Sequence, residues 1–505
     1  MNRFYRALCG LGSSLLMLCT AAAGMPAFAA EDDNTFTDKT LTYEKINGGV
    51  RIVSAEAGTI KLNIGDSIDG YKILEIGEQA FSNCPNLAEV TLSDGLQKID
   101  SGAFSGCMSL EKINIPATVT EIGDGAFYYC GSLTELTIPD SVTSIGNTAF
   151  AYCFSLETIK LPDSITTIAP YTFLYDIGLK KVDLPKTLTT ISQSAFVECY
   201  LLEEMKIPAS VTTIEPAAFM GCSGIQRYEI EPGNSGYHTD GVGAVYTIDD
   251  KTLLFYPAAS ANKEYTVPDG VESLEAYAFS GTINMEAVSL PTSVNALGKG
   301  VFADCAALKT LTFPETISMI PESMFANSAI SSFTIPETVT QIAAYAFFDC
   351  KELTEITIPE SVTAIGDEAF FGCSNIPVIH VPDSVTQIGI FTFGFEMPDE
   401  SQNSSEPVLI QTFRMSGGPN TAAKKYAQEN GVLFEQIGID MQIVLYIGIG
   451  VLVVVFIILT VILVKRGAKK RAEKAAAAPS EAPDPNYKSI LDKSAEDDDT
   501  LTKYE

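Results

Sequence analysis

Histidine and cysteine are the residue types that most often carry catalysis or bind metals, and this chain has two histidines and eleven cysteines. A zinc site or a histidine-dependent enzyme needs such side chains close together, with acidic or further histidine partners. His238 and His380 are far apart in sequence, and neither lies near a cysteine or an acidic cluster with ligand spacing. The pattern predicts no metal site, no cofactor and no histidine-dependent catalyst.

The cysteines beyond the N-terminal segment follow one rule, because each comes three residues after a phenylalanine. They are Cys84, Cys107, Cys130, Cys153, Cys199, Cys222, Cys305, Cys350 and Cys373. This phase points them into the core, where free cysteine behaves as a small apolar residue. Neighbouring copies come within disulfide range, but an odd total in a single column favours mostly free thiols.

Recurrent glycines and serines give no catalytic motif either. Glycines such as Gly123 and Gly146 recur four residues before a phenylalanine, so they are turn residues of a repeat and not a phosphate-binding loop. No arrangement of serine, histidine and acid stands out from the repeat. We therefore expect a protein that is not an enzyme.

Charge restricts the partners. The chain carries 63 acidic and 32 basic residues, a formal net charge of −31. Affinity for nucleic acid comes largely from cations that neutralise phosphates. DNA and RNA are therefore excluded as expected partners.

Phenylalanine spacing shows which elements must position these residues. The anchors lie 23 residues apart, with one gap of 60 and one step of 22: Phe81, Phe104, Phe127, Phe150, Phe173, Phe196, Phe219, Phe279, Phe302, Phe325, Phe347, Phe370 and Phe393. A fixed period of this length is the signature of a repeat architecture.

Each unit has the same anatomy, shown by residues 123–145. Residues 136–138 alternate between apolar and polar types as a half-buried strand does, and residues 142–145 suggest a second short strand. Residues 124–129 suit one helical turn, and a proline ends the first strand. Since one unit cannot bury its own apolar face, stacking must place phenylalanine on phenylalanine. The prediction is a β-rich solenoid of about thirteen coils, with short strands and short helical turns.

The unit resembles that of the BspA-like branch of the leucine-rich-repeat family, I-G-x-x-A-F-x-x-C-x-x-L-x-x-I-x-I-P-x-S-V-T. The resemblance covers about residues 40–436. It implies a leucine-rich-repeat fold and a bacterial cell-surface protein that adheres to host or neighbouring cell surfaces. The sequence departs from the pattern where Asp176, Thr282, Ser328 and Glu396 replace the ladder cysteine, so we expect looser packing there.

Flanking segments complete the expected organisation. Arg3 and Arg6, an apolar run and Ala27-Phe28-Ala29 predict a signal peptide over residues 1–29, whereas Leu18 before Cys19 disfavours a lipoprotein. The expected order continues with an N-terminal cap (30–72), repeats (73–226), irregular coils bearing a hairpin (227–268), repeats (269–395) and a C-terminal cap (396–436).

A membrane anchor is expected near the C-terminus. Residues 443–464 carry no charge and would span about 33 Å as a helix, which matches a bilayer core. Six basic residues follow within ten positions, which places the C-terminus inside the cell. We predict a transmembrane helix over residues 441–464, an extracellular N-terminal part, and a disordered cytoplasmic tail over residues 465–505.

One surface remains as a candidate for binding, the outward row of the first strand of each coil. In this acidic protein, Lys112, Lys160, Lys181, Lys206 and Arg227 form a mixed, partly basic stripe on that row. Such a row is either a plain solvated face or the binding surface of a solenoid. We expect adhesion through an extracellular protein or glycan ligand. A surface sensor that signals through its tail is the alternative, and an enzyme is disfavoured by the missing catalytic residues.

Overall fold

The computed structural model describes residues 35–38, 41–56, 58–398, 406–438 and 441–477, which fall into two units divided after Ile437. The first unit is a stack of short strands and turns, and the second contains one long helix. The predicted signal peptide and the tail from residue 478 onward lie outside the described residues, as do residues 399–405 of the predicted C-terminal cap.

Every coil contributes one strand to a first strand row, whose outward side we call the strand face. Its strands are Lys61–Ile64, Glu89–Leu92, Lys112–Ile113, Glu135–Thr137, Thr158–Lys160, Lys181–Asp183, Glu204–Ile207, Arg227–Ile230, Glu264–Thr266, Ala287–Ser289, Thr310–Thr312, Ser332–Thr334, Glu355–Thr357, Val378–His380, Arg414–Gly417 and Leu433–Gln436. The described chain thus makes about 16 coils rather than the thirteen expected, because three coils lack an anchor phenylalanine: one at each end and the coil of Glu264–Thr266 in the middle.

A second strand row runs along another side of the same coils. Its strands are Gly49–Ala55, Tyr71–Ile76, Lys98–Ile99, Glu121–Ile122, Ser144–Ile145, Thr167–Ile168, Thr190–Ile191, Thr213–Ile214, Thr252–Phe255, Ser273–Leu274, Ala296–Leu297, Met319–Ile320, Gln341–Ile342, Ala364–Ile365 and Gln387–Ile388. Where neighbouring strands of one row pair, they pair in parallel, as in Leu136 opposite Ile159. This pairing closes the backbone hydrogen bonds between coils.

The anchor phenylalanines form the predicted internal column. Phe150 is fully buried, and its ring centroid lies 5.8 Å from that of Phe127 and 5.7 Å from that of Phe173. Leucine and isoleucine from both strand rows pack around this column, so the core is continuous along each array of coils. The expected solenoid is confirmed.

The segment before and after each phenylalanine differs from the expected helical turn. In residues 124–129 the amide of Phe127 donates to Ala149 O of the next coil at 2.8 Å, and the amide of Tyr128 donates to Gly125 O at 2.9 Å. Gly125 and Tyr129 have left-handed backbones, with φ of 57° and 62°. These left-handed residues, two positions before and two after Phe127, prevent a helix and give consecutive turns, which bond to the neighbouring coil. We call this third side of the coils the turn row.

Two further repeat positions have structural roles. A Cβ on Gly146 would lie 2.5 Å from Asp124 N, so this glycine is needed because neighbouring backbones approach closely. Ser141 donates its hydroxyl to Val119 O of the preceding coil at 2.7 Å, and Ser210 does the same to Leu188 O at 2.6 Å. The recurrent glycines and serines therefore hold coils together.

Between the two arrays of coils lie the antiparallel strands Tyr237–Thr239 and Val245–Thr247, which continue into Thr252–Phe255. This segment supplies Phe255 to the phenylalanine column of the first array and Tyr256 to that of the second. The ring centroid of Phe255 lies 5.3 Å from that of Phe219, and the ring centroid of Tyr256 lies 5.0 Å from that of Phe279. We call residues 73–226 the first array and residues 269–395 the second array.

The two ends of the solenoid are closed by other elements. At the N-terminal end, Thr35–Asp38 pairs antiparallel with Leu41–Ile46, which pairs antiparallel with Gly49–Ala55 of the second strand row. Ser67–Ile68 pairs with Tyr71–Ile76. At the C-terminal end, Phe395–Glu396 pairs with Val408–Leu409, and helix α1 spans Ala422–Asn430. The Tyr426 hydroxyl accepts from Phe393 N at 2.9 Å, which ties α1 to the last anchored coil.

The second unit contains helix α2, Met441–Ala476. Its stretch Ile443–Lys474 is long and apolar enough to cross a membrane, with a mean hydropathy of 3.4 over its most apolar window. The helix continues twelve residues past Val464, into the segment expected to be disordered. Alanine, lysine, arginine and glutamate dominate that segment, and they extend an existing helix at little cost.

Candidate functional site

The strand face is a row of exposed side chains, and most coils contribute two of them. In the coil at residues 135–137, Leu136 points into the core while Glu135 and Thr137 are exposed. The same in-and-out pattern follows in the next coils, so equivalent exposed residues lie beside each other across parallel strands. The surface is therefore regular in backbone and variable in chemistry.

All five predicted binding residues lie on this face and are exposed: Lys112, Lys160, Lys181, Lys206 and Arg227. The parallel register sets four of them, all except Lys181, opposite a carboxylate. Lys112 lies opposite Glu89, Lys160 opposite Asp183, and Arg227 opposite Glu204.

Two of these lysines make direct ion pairs. Lys181 Nζ lies 2.8 Å from Asp183 Oδ1, and this hydrogen bond raises the pKa of Lys181. Lys206 Nζ lies 3.8 Å from Glu204 and 3.9 Å from Glu229. The stripe is thus a checkerboard of alternating charge rather than a continuous basic band, and its field largely cancels beyond about 10 Å at 0.1 M salt.

In the second array the same face is largely uncharged. Its consecutive outward residues are Ala287, Ser289, Thr310, Thr312, Ser332 and Thr334, and charge returns at Glu355. The sequence analysis considered only the cations and missed this difference in charge between the two arrays. The difference is visible in the sequence at the eighth and tenth residues after each anchor phenylalanine.

The cysteine column is a structural feature. In the described residues the nine cysteines are free thiols, and eight of them are buried. Cys130 donates its thiol to Phe104 O at 3.2 Å, and Cys222 donates to Phe196 O at 2.9 Å. Burial raises the pKa of Cys107 to about 12. Such thiols are neutral at neutral pH, so they are poor nucleophiles and poor metal ligands.

Asp176 replaces a cysteine in this column and is fully buried. Its Oδ1 accepts a hydrogen bond from Cys153 N at 2.7 Å, while its Oδ2 has no partner among the described residues. Burial raises the pKa of this carboxyl well above its ordinary value. The side chain is enclosed between coils, and therefore no substrate reaches it.

The two histidines have local partners. His238 Nε2 lies 2.7 Å from Asp250 Oδ1 at the hairpin, and His380 Nδ1 lies 3.3 Å from Ser416 Oγ on the neighbouring strand. Ser416 is buried, and no carboxylate contacts the other ring nitrogen of His380 among the described residues. Within that same part of the chain, no group of three or more histidine, cysteine, aspartate or glutamate side chains is arranged to hold a metal.

The turn row carries a second surface that the sequence analysis missed. Across coils three to five it presents an aromatic ridge, which consists of Tyr128, Tyr129, Tyr152, Phe154, Tyr175 and Ile177. Tyrosine at the second position after three successive anchors, Tyr129, Tyr152 and Tyr175, is the signal that could have found it.

Comparison with known proteins agrees with the repeat anatomy. The sequence matches the BspA type Leucine rich repeat region, in six copies, over residues 67–175, 145–238, 253–354 and 318–397. The chain belongs to the BspA-type leucine-rich-repeat family. No curated protein has a significant match to the sequence.

Solved structures support the BspA-type fold. A leucine-rich cell surface protein from Faecalibacterium prausnitzii is 29% identical with a TM-score of 0.63, and the match covers 75% of this chain and 98% of that one. The pneumococcal vaccine antigen PcpA is 18% identical with a TM-score of 0.50, and the match covers 81% of this chain and all of that one, 100%. The second likeness concerns the fold alone.

Proposed function

We propose that this protein is a membrane-anchored, extracellular adhesin without enzymatic activity, which binds a protein on host or neighbouring cell surfaces through the strand face of the first array. The observation that carries the proposal is the charge checkerboard of that face. Alternating cations and carboxylates at fixed spacing give close-range complementarity to one partner and repel wrong registers.

Family membership supports the same conclusion, since leucine-rich-repeat solenoids are binding proteins and present extended faces to partners. The similar Faecalibacterium protein is a cell surface protein. The apolar part of helix α2 and the basic residues after it support anchoring in a membrane with the solenoid outside the cell.

Binding by the strand face is tested with cells that display the full chain. Lysates of host matrix and cell-surface proteins identify the bound partner, and affinity is then compared between the wild type and a fourfold variant, Lys160→Ser, Lys181→Ser, Lys206→Ser and Arg227→Ser. The variant should bind about tenfold or more weakly and show less salt dependence, because charge pairs across the interface are lost. The matched control changes Thr310, Thr312, Ser332 and Thr334 to alanine. Equal loss in both variants would contradict the assignment to the first array.

The alternative is a sensor that transmits binding into the cell through the C-terminal tail. The 36-residue continuous helix α2 favours this candidate, because one rigid element links the apolar segment to the basic segment after it. Deletion of residues 478–505 separates the two functions. An adhesin keeps cell attachment after the deletion, whereas a sensor keeps partner binding and loses the cellular response to it.

A further inference from the structure

The aromatic ridge is an exposed surface on the turn row, distinct from the strand face. Tyr129 is 36% exposed and Ile177 is 37% exposed, whereas the anchor phenylalanines of the same coils are fully buried. Large exposed apolar patches on soluble surfaces commonly mark interaction sites. The ridge therefore offers an apolar surface for binding.

Its geometry is set by two kinds of ring contact. Tyr152 and Tyr175 stack across neighbouring coils, with centroids 5.2 Å apart and planes 3° from parallel. Phe154 stands at 88° to Tyr152 and at 79° to Tyr129, at centroid distances of 5.9 and 5.4 Å. Phe154 thus lies lengthwise along the ridge, bordered by tyrosine edges.

A glycine in the preceding coil makes room for this ring. A Cβ on Gly131 would lie 3.2 Å from Cδ2 of Phe154. The Phe154 ring lies against Gly131, and the side chain is half-buried, so part of it stays accessible to solvent. The result is a flat apolar platform with tyrosine hydroxyls and the half-buried Ser132 and Ser155 around it.

Charge distinguishes this surface from the rest of an acidic protein. None of the exposed or half-buried side chains at 128–132, 151–155 and 174–178 is charged, although the chain carries −31. Charged side chains begin in the strand row at Glu157, which pairs with Lys180 at 3.0 Å, and in the next coil at Glu198, which is buried and follows Tyr175 in the same column. An uncharged platform complements an uncharged ligand, whereas a charged peptide would lose hydration on it without gaining a counter-charge.

We propose that the aromatic ridge binds a neutral glycan chain, with one sugar ring stacked on Phe154 and the chain running across successive coils. The apolar face of a pyranose fits a flat aromatic ring, and surrounding hydroxyls exchange hydrogen bonds with those of the sugar. Coils repeat about every 4.8 Å, so equivalent tyrosines recur at a spacing close to one unit of an extended chain. This site goes beyond the protein-binding function proposed for the strand face.

The test titrates the full chain in detergent micelles with cellohexaose, chitohexaose, laminarihexaose and mannohexaose. Saturation-transfer NMR detects the sugar, and intrinsic fluorescence reports on tyrosine alone because the chain has no tryptophan. At least one hexasaccharide should bind. Phe154→Ser should weaken that binding about tenfold or more, and Phe154→Tyr should retain it.

Gly131→Leu provides an independent variant, because it keeps every aromatic residue but displaces the Phe154 ring, and it should also abolish binding. The control is Tyr71→Ser, which removes a tyrosine of 40% exposure outside the ridge and should change nothing. Failure of all four hexasaccharides to bind, or binding that survives both Phe154→Ser and Gly131→Leu, would overturn the proposal. So would binding of decaproline, without sugar binding, that Phe154→Ser abolishes. The fourfold strand-face variant should still bind the sugar, which separates this proposal from the adhesin function.

Discussion

The first and second arrays share a core and differ in their surfaces. Both stack anchor phenylalanines at similar distances, 5.7 Å between Phe150 and Phe173 and 5.9 Å between Phe302 and Phe325. On the strand face, however, Lys181 and Asp183 in the first array correspond to Thr310 and Thr312 in the second. On the turn row, the tyrosines of the first array correspond to Asp304, Asn327 and Asp349.

This contrast shows that a solenoid separates stability from recognition at the level of single positions. Inward positions are fixed by contact with the coils above and below, so they repeat. Outward positions touch mainly solvent and their own neighbours, so each array is free to carry its own chemistry. The same coil backbone therefore carries the strand face and the aromatic ridge on the first array, and a hydroxyl-rich strand face on the second.

The largest expected effect comes from the shared core. Phe150→Ala should destabilise the first array by about 3–5 kcal/mol, and Phe325→Ala should do the same to the second, because each leaves a cavity in a fully buried column. Hydrogen exchange should locate each loss in its own array. Phe154→Ala, at the half-buried ridge, serves as the control with a smaller effect. A loss spread evenly over both arrays by either variant would show that they unfold as one block.

The next largest difference between the arrays is expected at the positions where another residue replaces the repeat's cysteine. Asp176→Cys in the first array should add about 1–3 kcal/mol, because it removes a buried carboxyl oxygen without a partner. Ser328→Cys in the second array should change stability less, since the Ser328 hydroxyl already lies 3.7 Å from Cys350 Sγ.

Titration of Asp176 sets the sign of a pH dependence. Burial raises its folded pKa above the ordinary value of 3.8, so its stabilising contribution is complete below about pH 4 and is lost as the pH rises toward the folded value. Denaturant unfolding from pH 4 upward should show this decline in the wild type and a weaker one in Asp176→Cys. Parallel curves for the two proteins would mean that Asp176 has the same pKa in the folded and the unfolded state.

Glu198 gives a second, smaller test in the first array. It is 3% exposed, and burial is the main reason that its pKa rises from 4.5 to about 7, against the opposing hydrogen bond from Tyr200. Stability should therefore fall by about 2 kcal/mol between pH 5 and pH 7, because Glu198 ionises in the unfolded chain while it stays largely protonated in the folded one. Glu198→Gln should remove that fall, while Glu203→Gln, at an exposed position, should keep it. Chemical denaturation at pH 5 and pH 7 compares the three proteins.

The smallest effects are expected on the strand faces. Lys181→Ser in the first array and Thr312→Ala in the second should each change the free energy of unfolding by less than about 0.5 kcal/mol, because exposed ion pairs and hydroxyls contribute little. Equilibrium denaturation in urea is sufficient to measure this. A loss above about 2 kcal/mol at Lys181 would assign the checkerboard to folding rather than to recognition.

The sequence predicted the parts that depend on period. The phenylalanine spacing indicated the coils and the buried column, and the eighth and tenth positions indicated which side chains share the strand face. The helical turn predicted for residues 124–129 was wrong. Gly125 and Tyr129 adopt left-handed backbones there, and the amide of Phe127 donates to Ala149 O in the next coil. Local propensity within one coil does not include a hydrogen bond to a residue 22 positions away.

By itself, the sequence determined the repeat, the apolar phase, the family and the position of an apolar helix, because these follow from residue types at fixed offsets along the chain. Only the tertiary structure decided how the offsets meet between coils. It set Lys160 beside Asp183, closed Gly146 against Asp124, and laid Phe154 over Gly131. Such contacts join residues about one coil apart, and their distances are fixed by how adjacent coils stack rather than by the spacing of letters in the sequence.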